Sequence, residues 1–377
     1  MGYVAVQGGK LAIQQANYLN QWQRLKGQES LTIATIKANM KPLIDQVMSE
    51  ASLYDADLAA LAIKQAGGSM EEAVFLLRAH RSTLPRLYYS QTVESNQMLV
   101  KRRISASFKD IPGGQLLGNA TDYQQRFLDF DLIEENTETM AHDLADLETK
   151  MADFDLSKLE KVDLLNLPKV VSYLESHRLI ERPQACDEEP DDITKRSIRF
   201  PSTRSQRLQS LQRGQTGAVT ALGYAKIRQF AVHPNIGELR VGDLPLTIRV
   251  DQDNQVSSPE DDYYIGSIEE TEVEALFVQD QRDNQGQIKQ KLVLGYGLCY
   301  GQNETKAIAM SILDYALEYK IQHPTSDDEF VLYHVDTVES TGFISHLKLP
   351  HYVTFQSELE AMRRMDDPKN EIPEEGN

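Results

Sequence analysis

Three strand-like segments follow one another between residues 244 and 300 and limit the folds open to this chain. Residues 244–250, 272–278 and 292–300 are rich in the β-branched and aromatic side chains that favour strands. Between the last two segments, residues 282–286 (Arg-Asp-Asn-Gln-Gly) predict a tight turn. Because such a turn joins neighbouring strands in opposite directions, we expect antiparallel hairpins here.

Helix signals surround these strands. Asn303 predicts the start of an amphipathic helix with one apolar face, made of Ile308, Ser311, Ile312, Tyr315 and Ala316. Near the other end of the chain, helical periodicity recurs in residues 11–25, 35–51 and 57–66, and Ser69 with Glu72 forms a capping-box pattern before a fourth helix. Strands and helices are mixed rather than strictly alternating, which predicts the α+β class.

We predict four consecutive regions. Residues 1–100 form a mainly helical domain that begins with a short strand at 3–6, and residues 101–235 form a region of basic and Gly-Gly loops with a variable acidic insertion. Residues 236–362 form a mixed α/β region with a histidine loop, and residues 363–377 form a disordered acidic tail.

The charge balance excludes one class of partner. The 377 residues carry a formal net charge of −18, whereas non-specific nucleic-acid binding needs a basic face. The two cysteines, Cys186 and Cys299, lie far apart, which argues against a disulfide framework and a cysteine zinc site. No signal peptide precedes the first helix and no apolar run reaches about 18 residues, so we expect a cytoplasmic protein without a membrane span.

Residues 330–355 combine imidazoles, carboxylates, glycine and proline more tightly than any other segment. We expect a strand at 330–335 and then a bent loop, because Pro350 interrupts regular structure. The spacing of His346 and His351 turns about 500° on a helix and spans about 16 Å on a strand, so only a bend brings both rings together.

Two converging neutral imidazoles suit zinc or a similar metal. The alternative is that each histidine only hydrogen-bonds within a packed loop. Because zinc takes at least three protein ligands, the missing ones would come from distant residues, a substrate or another chain.

Two basic stretches are candidate phosphate sites. The first carries Lys101, Arg102, Arg103 and Lys109 before the turn Gly113-Gly114-Gln115, whose glycines permit N–H groups aimed at an anion. The alternative is a tight turn beside a solvated basic face. The second follows an acidic run and places six cations in residues 195–213, including Arg204 and Arg207; salt bridges to that acidic run are the alternative.

The chain resembles the PhnI family, a core subunit of the bacterial carbon–phosphorus lyase complex. The likeness lies in YVAVQGG at 3–9, AVFLLRAHRSTL at 73–84, RRISASFKDIPGGQLLG at 102–118, EPDDIT at 189–194, SQRLQSLQRG at 205–214, GYGLCYGQNETKAIAM at 295–310 and EFVLYHVDTVESTGFISHLKLPHYVTF at 329–355. Residues 134–185 and 251–291 show little likeness, so we predict no functional residue there.

The resemblance implies an enzyme subunit that displaces adenine from ATP at the ribose C1′ with an alkylphosphonate. The product is a ribose 1-alkylphosphonate 5-triphosphate, and with water as acceptor the same subunit acts as a nucleosidase. It also implies PhnG, PhnH, PhnJ and PhnL-like partners, two copies in a larger complex, and zinc at His346 and His351 shared with a partner subunit.

Roles for other residues follow from that chemistry. A carboxylate must stabilise positive charge at C1′, and our candidates are Asp336, Glu339 and, as a weaker choice, Asp110. Lys348 lies between the two histidines and is placed to meet a phosphonate. The candidates for the triphosphate are Arg102, Arg103, Lys109, Gly113, Gly114, Gln115, Arg204 and Arg207.

Two other interpretations stay open. The chain could be a structural scaffold subunit whose two histidines supply half of an interface site. A stand-alone metal hydrolase is weaker, because the sequence has no HExxH-type motif.

Overall fold

We describe the protein from a computed structural model, over residues 9–27, 30–153, 167–180, 189–230, 233–250, 262–282, 286–319, 323–349 and 351–365. The predicted strand at 3–6 and most of the predicted acidic tail lie outside these residues. The chain forms two compact units, one of Met1–Thr83 with Tyr333–Asn377 and one of Leu84–Leu332. The four predicted domain limits stay predictions.

The described residues contain helices and one sheet, joined by turns and irregular segments, which confirms the α+β class. The helices are α1 (Gly9–Leu25), α2 (Ile33–Asn39), α3 (Lys41–Ala51), α4 (Ala56–Gln65), α5 (Met70–Ser82), α6 (Thr137–Ala152), α7 (Val170–Ser176), α8 (Arg204–Arg213), α9 (Thr216–Phe230), α10 (Glu304–Glu318), α11 (Asp328–Val335), α12 (Thr337–His346) and α13 (Tyr352–Met365). The strands are β1 (Leu99–Ile104), β2 (Asn235–Arg249), β3 (Asp262–Arg282) and β4 (Ile288–Tyr300). No described helix is long and apolar enough to cross a membrane.

The helical unit is built on α2 to α5, whose apolar faces share one core that includes Ile36, Val47, Ala60 and Val74. The single helix predicted over residues 35–51 is wrong, because α2 and α3 separate at Met40. Pro42, in the first turn of α3, has no N–H for a continuous helix and fits a helix start instead. Ser69 does cap α5, but its side chain makes no capping hydrogen bond.

The second unit is organised around a four-stranded sheet in the order β1-β2-β3-β4, with every neighbouring pair antiparallel. This confirms the predicted hairpins. Residues opposite one another share a face of the sheet, and Val273 lies opposite Leu239 and Gly297. That apolar face packs on α10, where the Phe277 and Tyr315 rings stack with centroids 3.9 Å apart.

The glycines of β4 let α10 approach the sheet closely. A Cβ at Gly295 or Gly297 would collide with the backbone carbonyl oxygens of Ser311 and Ala307, respectively. We predicted one buried face for α10, but Lys306 and Asp314 are buried as well as the apolar residues. The helix is buried nearly all round because α8 and α9 pack on it as well as the sheet.

Two predictions for residues 330–355 are wrong. Residues 330–335 belong to the helix α11, with Val331, Leu332 and Val335 buried at helical spacing. A short apolar run fits a strand or a helix equally, so its sequence did not decide between them. The expected long loop is instead two helices, α12 and α13, on either side of a short turn.

We expect Gly297→Ala to lower the free energy of unfolding by about 1–3 kcal/mol, because the added methyl group must push α10 from the sheet. Gly342→Ala is the matched control. Gly342 lies inside α12 with open space around it, so alanine there should be neutral or stabilising by up to about 1 kcal/mol. Denaturant unfolding followed by circular dichroism measures both, and equal midpoints would contradict the proposed contact.

Candidate functional site

The turn between α12 and α13 brings two histidines together. His346 is the last residue of α12, and His351 immediately precedes α13. The ring centroids lie 5.3 Å apart with an interplanar angle of 63°. The two imidazole rings therefore lie close together, as predicted, but a helix–turn–helix segment rather than a bent loop brings them there.

Hydrogen bonds orient both rings in the same way. His346 Nδ1 contacts the carbonyl oxygen of Phe343, and His351 Nδ1 lies 2.6 Å from the carbonyl oxygen of Leu349. Since a carbonyl oxygen only accepts, each Nδ1 must carry the proton, and each neutral ring presents its lone pair on Nε2. Backbone carbonyls orient metal-binding histidines in this way in many proteins, so the pair fits a metal.

The pair is an incomplete ligand set. Within the described part of the chain, no group of three or more His, Cys, Asp or Glu side chains could hold a metal ion. A tetrahedral zinc site takes at least three protein ligands, so further ligands must come from outside this group.

The predicted carboxylates have separate environments. Asp336 accepts two hydrogen bonds from Arg78 Nη1, at 2.7 and 2.8 Å, and both side chains are largely buried. Arg78 also donates to the carbonyl oxygen of Glu50, so this ion pair fixes α12 to the helical unit. Glu339, on the first turn of α12, and Asp110 are exposed.

Hydrogen bonds from the rest of the chain hold the Gly113-Gly114 turn in place. Arg103 is fully buried and donates to Glu238, to the carbonyl oxygen of Pro112 at 2.6 Å and to that of Pro168 at 2.7 Å. Gly113 and Gly114 adopt φ values of 82° and 74°, which favour glycine. Gln115 ties the turn back to the backbone of Ser105.

The other predicted arginines also make internal ion pairs. Arg102 pairs with Glu304 at 2.8 Å and with Asp122. Arg204 pairs with Asp314 at 2.7 Å, and Arg207 pairs with Glu318. The partners of Arg204 and Arg207 thus lie in α10, not in the acidic run expected. Lys109 and Lys348 have exposed side chains.

The sequence did not point to a buried charged cluster on the other face of the sheet. Glu272 on β3 is its centre: Lys169 Nζ lies 2.8 Å from Glu272 Oε1, Arg240 Nη2 lies 2.5 Å from Oε2, and Tyr296 donates to Oε1 at 3.0 Å. Burial alone would raise the pKa of Glu272, but Arg240 and Lys169 outweigh it and hold the pKa at about 2.

The neighbouring glutamates on the same face behave differently. Burial, with repulsion from Glu272, raises the pKa of Glu270 to about 8. Burial also raises the pKa of Glu274, whose Oε1 accepts from Lys169 at 2.8 Å while Oε2 has no hydrogen-bond partner among the described residues. The face therefore holds an ionised carboxylate, Glu272, close to one that burial keeps protonated near neutral pH, Glu270.

One signal could have located this cluster. Glu270, Glu272 and Glu274 alternate along a strand, and a period of two places them on one face. They lie in residues 251–291, for which we predicted no function because the likeness to the family is low there. Lys169, from the other such segment, completes the cluster.

The cluster predicts a pH-dependent stability. The pKa of Glu270 is higher in the folded protein than in the unfolded chain, so the folded state binds more protons between these values. The free energy of unfolding should fall from about pH 5 to about pH 8, by at most about 1.4 kcal/mol per pH unit from this group. Glu270→Gln should flatten that dependence and stabilise the protein near pH 8.

Denaturant titrations across this pH range test the prediction. Glu339→Gln is the control, because that exposed carboxylate should leave the slope unchanged. Identical slopes for the wild type and Glu270→Gln would show that Glu270 does not bind the proton.

Comparison with known proteins places these features in a family. The sequence profile described as bacterial phosphonate metabolism protein (PhnI) matches residues 2–369. A protein of Escherichia coli named alpha-D-ribose 1-methylphosphonate 5-triphosphate synthase subunit PhnI is 40% identical over 98% of this chain and 99% of its own length. A protein of the same name from Rhizobium meliloti is 39% identical over 96% of this chain and 94% of its own length. A protein of Stutzerimonas stutzeri named putative C-P lyase subunit protein HtxH is 40% identical over 99% of this chain and 98% of its own length.

Proposed function

Because the chain belongs to the PhnI family of bacterial phosphonate metabolism proteins, we propose that it is a subunit of an α-D-ribose 1-methylphosphonate 5-triphosphate synthase in the carbon–phosphorus lyase pathway. In the reaction, a phosphonate oxygen forms a bond to the ribose C1′ of ATP as the bond from C1′ to adenine breaks. The departing adenine takes a proton. With water in place of the phosphonate, the products are adenine and ribose 5-triphosphate.

The orientation of His346 and His351 carries the proposal for the site. Both Nδ1 atoms are bound to carbonyl oxygens, so each Nε2 keeps its lone pair for a metal, and the two ring centroids lie 5.3 Å apart. Zinc held by His346 and His351 would supply positive charge for an anionic phosphonate or phosphate oxygen. The incomplete ligand set is consistent with a site that PhnJ or another partner subunit completes. PhnG, PhnH and PhnL-like subunits belong to the same proposal, as do two copies of the chain in a cytoplasmic complex.

Exposed groups are the first choice for contacts with substrate. Lys348 lies in the turn between the two histidines and is placed to meet the phosphonate. Lys109, beside the Gly-Gly turn, is the exposed candidate for the triphosphate. Among the carboxylates, Glu339 is exposed on α12 and is our first choice for stabilising positive charge at C1′. Asp336, which pairs with Arg78, would act by positioning α12.

Substitution of the two histidines tests the metal site. We expect His346→Ala and His351→Ala each to lower zinc affinity about 100-fold or more in the assembled complex, because each removes one nitrogen ligand. His334→Ala, in the same stretch, is the control and should leave zinc content unchanged. Elemental analysis of the purified complex measures the result, and full zinc occupancy in both variants would contradict the assignment.

A base-release assay tests the reaction independently of the metal. Purified protein is incubated with ATP, and free adenine and ribose 5-triphosphate are separated by chromatography. We expect the two products in equal amounts from the protein alone, and ribose 1-methylphosphonate 5-triphosphate when partner subunits and methylphosphonate are added. No adenine above a heat-treated control in either mixture would contradict the proposal and leave the scaffold interpretation.

A further inference from the structure

The helix that carries His346 is attached to the helical unit at its first turn. Asp336, which precedes α12, accepts hydrogen bonds from Arg78, and Val338 packs against the core of α2 to α5. Beyond this turn, residues 339–344 are all exposed, and no residue of α12 is buried. The contacts near Asp336 therefore set the direction of the whole helix.

Arg78 joins three helices at this point. From α5, its Nε and Nη2 donate to the carbonyl oxygen of Glu50 in α3 at 3.0 and 2.8 Å, while Nη1 lies 2.7 and 2.8 Å from the two carboxylate oxygens of Asp336. A planar guanidinium held from two sides has a fixed orientation and fixes the carboxylate that it binds. Both side chains are only 15% exposed, so salt screens the pair weakly.

A small change of direction at Asp336 becomes a large displacement at His346. The ten residues between them span about 15 Å along the helix, so a tilt of about 20° moves His346 by about 5 Å. Binding groups must be held to within about 0.5 Å. The hydrogen bonds of His346 to Phe343 and of His351 to Leu349 are local, so such a tilt would move both rings together.

We propose that Arg78 is a positioning residue for the metal site, because it sets the direction of α12 and so the point at which His346 and His351 are presented. The inference rests on the zinc site proposed above for these two histidines. Two ligands from this pair must meet the remaining ligands and the substrate at one point. Arg78 therefore controls zinc affinity from the opposite end of α12.

Pulsed electron spin resonance measures the direction of α12 without any metal. One nitroxide label is attached at Leu61→Cys on α4 (48% exposed) and the other at Ile344→Cys on α12 (65% exposed). Cys186 is replaced by serine, and Cys299 is buried. In this full-length protein we expect one narrow distance distribution, which Arg78→Ala should shift or broaden by about 4 Å, since Ile344 lies about 12 Å along the helix from Asp336.

Val74→Ala is the matched control for lost stability. Val74 lies one turn before Arg78 on α5 and is 1% exposed in the core of the same unit, so alanine there leaves a cavity without removing the ion pair. We expect the distance distribution to stay unchanged in this variant. Denaturant unfolding of both variants measures how much stability each has lost.

Zinc affinity of the assembled complex, measured by competition with a chelator, connects the direction of α12 to the site. Arg78→Ala should lower the affinity about tenfold or more, whereas Val74→Ala should leave it unchanged. Asp336→Ala should have the same effect as Arg78→Ala, and the double variant should bind zinc no more weakly than either, because both residues act through one ion pair.

The results separate this inference from the proposed function. A wild-type complex without zinc would overturn the metal site and this role together. If the wild-type complex binds zinc, an unchanged label distance or an unchanged zinc affinity in Arg78→Ala would overturn the positioning role alone. Equal losses of affinity in Arg78→Ala and Val74→Ala would also overturn it, because lost stability would then be the cause.

Discussion

The compensation of buried charge at Glu272 is the interaction on which the sheet unit depends. This carboxylate is bound by Lys169, Arg240 and Tyr296, which come from three separate segments of the chain. Beside it, Arg103 of β1 binds Glu238 of β2, and the same carboxylate accepts from the backbone N–H of Val170. Removing one partner of such a network costs about 3–5 kcal/mol, because a buried charge is then left uncompensated. The network therefore links β1 to β4 with the segment that begins α7, so each of these segments holds a partner that a buried charge of another requires.

The opposite face of the same sheet is stabilised by close apolar packing against α10. Gly295 and Gly297 remove side chains where the backbone of α10 passes, and the Phe277 and Tyr315 rings stack beside them. Two arginines of the second basic stretch, Arg204 and Arg207, contribute ion pairs to this packing. Arg204 of α8 reaches Asp314 of α10, which in turn accepts from the N–H of Tyr296 on β4. One carboxylate thus joins a helix, a second helix and a strand, which explains why α10 can bury a charged residue.

Sequence patterns predicted the antiparallel strands and the helices α1, α4, α5 and α10, because periodicity and turn residues act locally. Sequence patterns did not predict features that depend on residues far away in the chain. The apolar residues of α11 fit a strand or a helix, and only burial of Val331 and Val335 at helical spacing distinguishes the two. The basic stretch at 101–109 has the composition of an anion site, and its sequence could not show that Arg102 and Arg103 pair with Glu304 and Glu238, more than a hundred residues away. For the histidines the prediction of convergence held, although two helices rather than a loop produce it.

The histidine pair is a ligand set that the described residues orient but do not complete. His346 and His351 present two nitrogens of one tautomer, with backbone carbonyls fixing both rings, but two nitrogens do not complete a zinc site. The buried network around Glu272 pairs most of its polar atoms, although Glu274 Oε2 has no hydrogen-bond partner among the described residues. The histidine pair differs from that network, because its two nitrogens lie near the surface and the ligands that would complete a zinc site can come from another chain.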